Sequence, residues 1–347
     1  MASTNFLATL PLLLIQVLLS TTLVHTACPK KEDVQPCNCH SYSSYDRVEC
    51  RAVEDKRVLK NALSKFKGMH IFEFELSLID MKDVPYDAFR HVQVSELYTY
   101  MANFSGLQKS GHLFEGFDST LYMIEIKRGV SLDSWDWAAL GRLSNLQRLY
   151  IFSSNLPTID RRFSAVSKSL THVMIQGGDL KSIEDGAFTG LKLRDLEISY
   201  TRLEHVSRQI FPVPATSLSV LSLRHNNLRY LPEDMFSEMP ALTLLDLSAN
   251  LLKTLSERSI SPVIRNLRLL DMSNNQYFCD CNLTWVSRAF QINNDRFWQR
   301  NEITCHWPRR MYGTDLLSLT DEALGCPGAR ASTPLTPFLL KIDHERR

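Results

Sequence analysis

The residues of this chain best equipped for chemistry are its eight cysteines, which stand in two matched groups. Cys28, Cys37, Cys39 and Cys50 precede a long cysteine-free interior, and Cys279, Cys281, Cys305 and Cys326 follow it. Each group contains a Cys-x-Cys step. With His40 beside them, Cys37, Cys39 and Cys50 have the donor types of a zinc site. Oxidised, each group of four closes two disulfides, in any of three pairings. The compartment weighs on that choice. Residues 1–27 contain no Lys, Arg, Asp or Glu, and Phe6 to Val24 is almost wholly apolar, the composition of a secretory signal peptide ending near Ala27. No basic residue precedes the apolar run and His25 is a poor residue for the cleavage signal, so an uncleaved membrane anchor is the competing reading. Export favours oxidation, and we expect disulfides rather than a metal.

Other chemistry finds little support. No phosphate-binding glycine loop, serine elbow or zinc-protease histidine pair occurs, and no cysteine stands as a nucleophile beside a histidine. His225, next to Asn226, reads as an ordinary surface residue. A formal net charge of +1, with no basic run longer than pairs such as Arg309 and Arg310, argues against a nucleic-acid partner. We therefore expect no catalytic residues and no cofactor. Two glycan acceptor sequons occur, Asn103-Phe-Ser105 and Asn282-Leu-Thr284.

The interior between the cysteine groups repeats one spacing, with apolar residues at the first, fourth, sixth and eleventh places of each unit. Units start at Ile71, Val94, Leu121, Leu146, Leu170, Leu193, Leu218, Leu242 and Leu267. The clearest copy reads Leu218, Leu221, Leu223, Asn226, Leu228, Leu231. This is the spacing of the leucine-rich repeat. It predicts an α/β solenoid, a horseshoe of about nine repeats whose short strands pair in parallel along a concave sheet. Side chains at the fourth and sixth places point inward, and Phe89, Phe188, Phe211 and Phe236 near the nineteenth place fill the far side of the coil, so turns and short helical pieces suffice there. Asn226, Asn250 and Asn275 occupy the ninth place only in the last three units. Ile79, Ala102, Gly129, Ser154, Gly178 and Thr201 hold it earlier, so those units must recruit hydroxyls, water or altered turns, and we expect the first half to be less regular. The third unit, with Trp135 and Trp137, is expected to carry a bulge or short helix.

A solenoid exposes an apolar face at each end, and caps too small for a core of their own need staples. The stretch CPKKEDVQPCNC with Cys50 resembles the N-terminal cap of extracellular leucine-rich-repeat proteins, and NNQYFCDCNLTWV with Cys305 and Cys326 resembles their C-terminal cap. That resemblance implies Cys28 with Cys39, Cys37 with Cys50, Cys279 with Cys305 and Cys281 with Cys326. The organisation expected is a signal peptide at 1–27, an N-terminal cap at 28–70, repeats at 71–278, a C-terminal cap at 279–326 and a disordered tail at 327–347. The tail's three prolines and charged end fit no lipid-anchor signal, and no second apolar run is long enough to span a membrane.

Outward places of the strands are the third, fifth, seventh and eighth. In units two to five they hold Tyr98, Tyr100, Met101, Met123, Tyr150, Phe152 and Met174, and further along Glu197, Arg224, Asp246 and Asp271. Large apolar side chains on a wet face mark a contact patch, with stacking that merely stiffens the sheet as the rival account. The chain thus reads as a secreted, extracellular binding protein that holds a protein or peptide in its concavity and performs no catalysis. The cap sequence from Glu32 to Cys39 and the degenerate early repeats also resemble secreted arthropod proteins named after the non-catalytic subunit of the Oplophorus luciferase. That resemblance implies an accessory subunit stabilising a secreted catalytic partner.

Overall fold

The computed structural model describes residues 28–80, 87–103 and 114–326. The expected signal peptide and tail lie outside the described residues. Along the chain run β1 (Cys37–Ser41), β2 (Asp46–Arg51), α1 (Lys56–Ser64), β3 (His70–Ser77), β4 (Gln93–Tyr100), β5 (Met123–Lys127), β6 (Arg148–Phe152), β7 (Thr158–Ile159), β8 (His172–Gln176), β9 (Ser182–Ile183) and β10 (Asp195–Ser199). Then come β11 (Val220–Ser222), β12 (Leu244–Asp246), α2 (Glu257–Ile260), β13 (Leu269–Asp271), β14 (Tyr277–Phe278), α3 (Thr284–Ile292) and β15 (Cys305–Trp307).

Among the described residues, eleven strands form one sheet in the order β1-β2-β3-β4-β5-β6-β8-β10-β11-β12-β13, parallel except for the β1–β2 pair. The register follows the repeat spacing. Val48, Phe74, Leu97, Ile124, Leu149, Val173, Leu196, Leu221, Leu245 and Leu270 lie side by side at the fourth place, and none is more than 2% exposed. Burial of this kind contributes about 1.5–3 kcal/mol per large side chain. The line begins one strand earlier than the repeat starts read from the sequence: β2 of the N-terminal cap pairs in register with β3, and Cys50 occupies the sixth place with its sulfur bonded to Cys37.

The eighth residue of every unit adopts the left-handed conformation: Leu78, Met101, Arg128, Ser153, Gly177, Tyr200, His225, Ala249 and Asn274 all have φ between 47° and 71°. This bend ends the strand, yet the ladder runs on through it. The Leu78 amide donates to Tyr100 O (2.8 Å), Met101 to Lys127 O (2.9 Å), and so on to Ala249 and Ser273 O (3.0 Å), with Glu302 O of the C-terminal cap receiving Asn274 N (2.9 Å). Cap-to-cap continuity leaves few sheet amides to water.

On the far side, rings touch in sequence: Phe74–Phe89 (6.0 Å between centroids), Phe89–Phe117 (5.1 Å), Trp135–Trp137 (5.0 Å), Trp137–Phe163 (4.9 Å), Phe163–Phe188 (5.5 Å) and Phe188–Phe211 (6.2 Å). Phe117, Trp137 and Phe163 belong to this spine although they fall off the nineteenth place. Trp135 and Trp137 border short 3-10 helices at Leu132–Ser134 and Trp137–Arg142, the short helical element expected of the third unit.

The ninth place works as expected in the last three units. Asn250 Nδ2 donates to Leu223 O (2.9 Å), Leu247 O (3.0 Å) and Ser248 O (3.1 Å), and its Oδ1 accepts the Leu228 amide (3.2 Å). Earlier units substitute. Gly129 N donates to Ser154 Oγ (2.9 Å), and Leu156 N donates to Asp179 Oδ1 (3.0 Å), one place further along. Gly178 cannot supply the group itself, because at φ +85° an added Cβ would sit 2.5 Å from Ser154 O. The expectation of a less regular first half fails for the sheet: β3 and β4 run eight residues each, whereas β11, β12 and β13 run three. Substitute acceptors replace some of the missing asparagines, and the tenth-place amide turns to a different carbonyl of the preceding unit, as in Asn103 N to Ile79 O (2.9 Å) against Asn227 N to Leu203 O (2.9 Å).

The structure joins Cys28–Cys39, Cys37–Cys50, Cys279–Cys305 and Cys281–Cys326. With every sulfur so engaged, the thiolate ligands of the zinc alternative are gone. In the C-terminal cap, α3 places Trp285 at the nineteenth position of the last unit, where its Nε1 donates to Leu255 O (2.8 Å).

Candidate partner-binding surface

The residues expected to form a contact patch divide by column. At the fifth place the register runs Glu75–Tyr98–Glu125–Tyr150–Met174–Glu197, and at the seventh Ser77–Tyr100–Lys127–Phe152–Gln176. Tyr98, Tyr100, Tyr150, Phe152 and Met174 are half-buried on the concave face, with Met101 beside them 44% exposed. Met123 differs. It sits at the third place between Glu96 and Arg148 and is 6% exposed, so it offers a partner almost no surface and is withdrawn from the accessible patch.

The patch is also less apolar than its residue types suggest. Glu125 and Lys127 lie between the two aromatic strands and pair with each other at 2.5 Å. The Lys127 ammonium stands 5.6 Å from the Phe152 ring centroid, and Arg128 lies 5.8 Å from that of Tyr100. Tyr150 and Phe152 are 6.5 Å apart. Stacking across adjacent strands therefore does not join the tyrosines at 98 and 150, since a carboxylate separates them. Aligning the units by column would have exposed this charged rung from the sequence.

Beneath the rings lies a group that sequence reasoning missed. Glu96 is 7% exposed and accepts the Tyr98 hydroxyl at 2.6 Å and the Tyr122 hydroxyl at 2.7 Å. Burial, and then the hydrogen bond to Glu96, push the Tyr98 phenol well above its ordinary range; for Tyr122 the Glu96 bond comes first. Both phenols stay neutral and fixed at neutral pH, so the Tyr98 ring is held in one orientation without being covered. Tyr150 is raised mainly by burial.

Beyond the patch the face becomes polar. Arg224 bridges Glu197 (3.1 Å) towards Asp246 (4.0 Å) and lies over Tyr200, which stacks on His225 at 4.1 Å. His225 thus serves as the ring partner of a neighbouring tyrosine. Of the sequon residues, Asn282 is exposed and Asn103 half-buried, while Ser105 lies outside the described residues. No group of three His, Cys, Asp or Glu able to hold a metal occurs among the described residues.

Fold and surface together define a leucine-rich-repeat solenoid with disulfide-stapled ends. The leucine rich repeat family model matches residues 216–276, the stretch that holds the Asn226 and Asn250 units and the start of the Asn275 unit. Vasorin from Mus musculus is 30% identical over 154 residues, covering 44% of this chain and 23% of vasorin. The leucine-rich repeat transmembrane protein FLRT2 from Rattus norvegicus is 29% identical over 195 residues, 55% of this chain and 29% of FLRT2. This chain is a leucine-rich-repeat protein related to these extracellular-type proteins, and it spans less than a third of their length. A chain of the solved octameric complex of Latrophilin 3, Unc5D and FLRT2 (LRR) superposes with a TM-score of 0.51 over 74% of this chain and 91% of its own, at 18% identity. No helix among the described residues is long and apolar enough to cross a membrane.

Proposed function

We propose that this protein is a secreted, extracellular recognition module that holds a protein or peptide on its concave sheet and catalyses nothing itself. Tyr98, Tyr100, Tyr150 and Phe152 form the centre of the contact, with Met174 at its margin. The observation that carries this reading is the fixed, half-exposed Tyr98, anchored through its hydroxyl to buried Glu96 and set beside three further half-exposed rings. Rigid aromatic groups lose little entropy on binding and dominate interface energetics. In the matching solved complex FLRT2 (LRR) is assembled with Latrophilin 3 and Unc5D, which supports protein recognition as a use of this fold.

The test is capture of native partners from the secretion by the tagged wild-type protein and by the Tyr98→Ala/Tyr150→Ala variant. Loss of about 2 kcal/mol or more in affinity is expected, with secretion retained and the thermal midpoint only modestly lowered, since Tyr122 still donates to Glu96. Affinity within twofold of wild type would end the proposal, as would failure of the variant to fold. The identity of the captured chains decides the accessory-subunit alternative, which predicts one fixed catalytic companion.

A further inference from the structure

The fifth-place column carries more than the aromatic patch. It reads Glu49, Glu75, Tyr98, Glu125, Tyr150, Met174, Glu197, Ser222, Asp246 and Asp271 from end to end. Six of these ten rungs are carboxylates and none is basic, on a chain whose net charge is +1. This column is therefore acidic, whereas the third and seventh columns beside it also carry Arg47, Arg148, Lys127 and Arg224.

The chain's own cations show what this face holds. Arg47 lays its guanidinium across Glu49 (2.8 Å), Glu75 (2.9 Å) and Glu73 (3.4 Å) at one end. Towards the other end, Arg224 combines Glu197 with the face of Tyr200, its guanidinium carbon 5.4 Å from the ring centroid. A carboxylate attracts a cation through charge-assisted hydrogen bonds and a ring face through its quadrupole, so the two together hold it from two sides. Between those two positions the column alternates carboxylate, ring, carboxylate, ring at Glu75, Tyr98, Glu125 and Tyr150. Glu75 is held by Arg47 and Glu125 by Lys127, whose side chain is 51% exposed against 15% for Glu125. The Lys127 ammonium reaches solvent and is the more readily exchanged partner of that pair.

The alternation sets a length. Neighbouring rungs are about 4.8 Å apart, so like groups recur every 9.6 Å or so along the column. A polyproline II segment advances about 3.1 Å per residue with three residues per turn, presenting one side chain to the same face roughly every 9.3 Å. A β-extended segment, with a same-face repeat of roughly 6.8 Å, matches neither one rung nor two.

We propose that the concave sheet binds an extended basic segment of a partner protein in the polyproline II conformation. It runs along the fifth-place column across β3 to β6 with an Arg or Lys at every third residue. This rests on the concave-face reading above and adds the partner's chemistry to it. Its cations replace Arg47 on Glu75 and Lys127 on Glu125, and intervening prolines pack against Tyr98 and Tyr150, whose hydroxyl-anchored or half-buried rings need no rearrangement.

Three labelled peptides test it against the full secreted chain by fluorescence anisotropy: four Pro-Pro-Arg triplets, four Pro-Pro-Glu triplets, and a peptide of the same composition as the first with its four arginines contiguous. The first is expected to bind about tenfold or more tighter than the third, with the second not binding. The Glu75→Gln/Glu125→Gln variant should lose about tenfold for the first peptide, and Asp246→Asn/Asp271→Asn less than about threefold. Circular dichroism checks folding; if the double variant is unfolded, Glu125→Gln alone carries the test with a threefold loss or so. Equal affinity for the two arginine peptides, or no effect of removing Glu125, overturns the proposal. Indifference to all three peptides, alongside loss of native-partner capture in the Tyr98→Ala/Tyr150→Ala variant, removes the basic-segment proposal and leaves the concave-face reading standing.

Discussion

Asn250→Ala should be one of the more costly single changes in the repeat array, and more costly than the same change at Asn226. Asn250 is 4% exposed and makes four hydrogen bonds. Three of them end on carbonyls that keep another donor. Leu223 O retains Asn226 Nδ2 (2.9 Å), Leu247 O retains Asn275 Nδ2 (3.0 Å), and Ser248 O retains the His225 amide (2.9 Å). The fourth is the amide of Leu228, a residue with no exposed surface, and the alanine variant leaves that N–H without its acceptor. An orphaned buried amide costs about 1–3 kcal/mol and each of the three lost bonds to a still-partnered carbonyl roughly 0.5 kcal/mol, so the total should be about 2.5–4.5 kcal/mol. At Asn226 the Oδ1 accepts the Thr201 hydroxyl, which can rotate to another acceptor, and the carbonyl of Ile198 is the main group left short. A carbonyl with two lone pairs tolerates this better than an N–H does, so Asn226→Ala should cost about 1–2 kcal/mol less. Urea unfolding of both variants, with hydrogen exchange at Leu228, checks the claim. An Asn226 variant as destabilised as the Asn250 variant, or an unaltered Leu228 exchange rate, refutes it.

Two further outcomes are expected. Burial raises the Asp271 carboxyl above its ordinary value, with its bond from Ser273 N opposing. A raised folded value means that Asp271 contributes stability at acid pH, which is lost as pH rises from the ordinary carboxylate range through the folded value. Asp271→Asn should therefore be more stable than wild type at neutral pH, with the difference shrinking towards pH 3–4 or so; thermal melts that show a constant difference, or a loss at neutral pH, contradict this. Arg208 is 3% exposed, with Nε donating to Ser237 O (2.7 Å) and both terminal nitrogens without a hydrogen-bond partner among the described residues. Arg208→Met keeps the stem and removes the unpaired charge, so chemical denaturation should show no loss or a gain of about 1 kcal/mol. A loss beyond about 1 kcal/mol would mean that the guanidinium is satisfied after all.

The solenoid was legible because its signal is periodic and its physics is local. A residue at the fourth place must be apolar whichever unit carries it, so Leu97, Leu149 and Leu245 announce themselves by spacing alone and land side by side in the sheet. The ninth place was only half legible. Asn250 can be read as a ladder residue because the side chain itself makes the bonds, but Asp179 does equivalent work one place later, and nothing in the period marks it. The turn there is reshaped by Gly178, whose neighbour Ser154 O leaves no room for a side chain. The aromatic spine shows the same limit, since Phe163 and Trp137 meet in space from different places in their units.

The surface was read by residue type and corrected by column. By type alone, Tyr98, Tyr150 and Met174 suggest an oily patch, whereas stacking the units rung by rung puts Glu125 between the two tyrosines and turns the patch into an alternation of charge and ring. Met123 has the same apolar character as Met174, yet the two differ in exposure because they occupy different columns. On a solenoid, a side chain's role is set less by its own type than by what stands at the same place one unit away. Glu96 makes the point most sharply. An acidic residue at an outward place would ordinarily be a solvated one, but here Tyr98 on its own strand and Tyr122 on the next unit both donate to it. A carboxylate so occupied fixes the Tyr98 ring on the open face, and that fixed ring, rather than exposed apolar area, is what makes this stretch of sheet a surface suited to recognition.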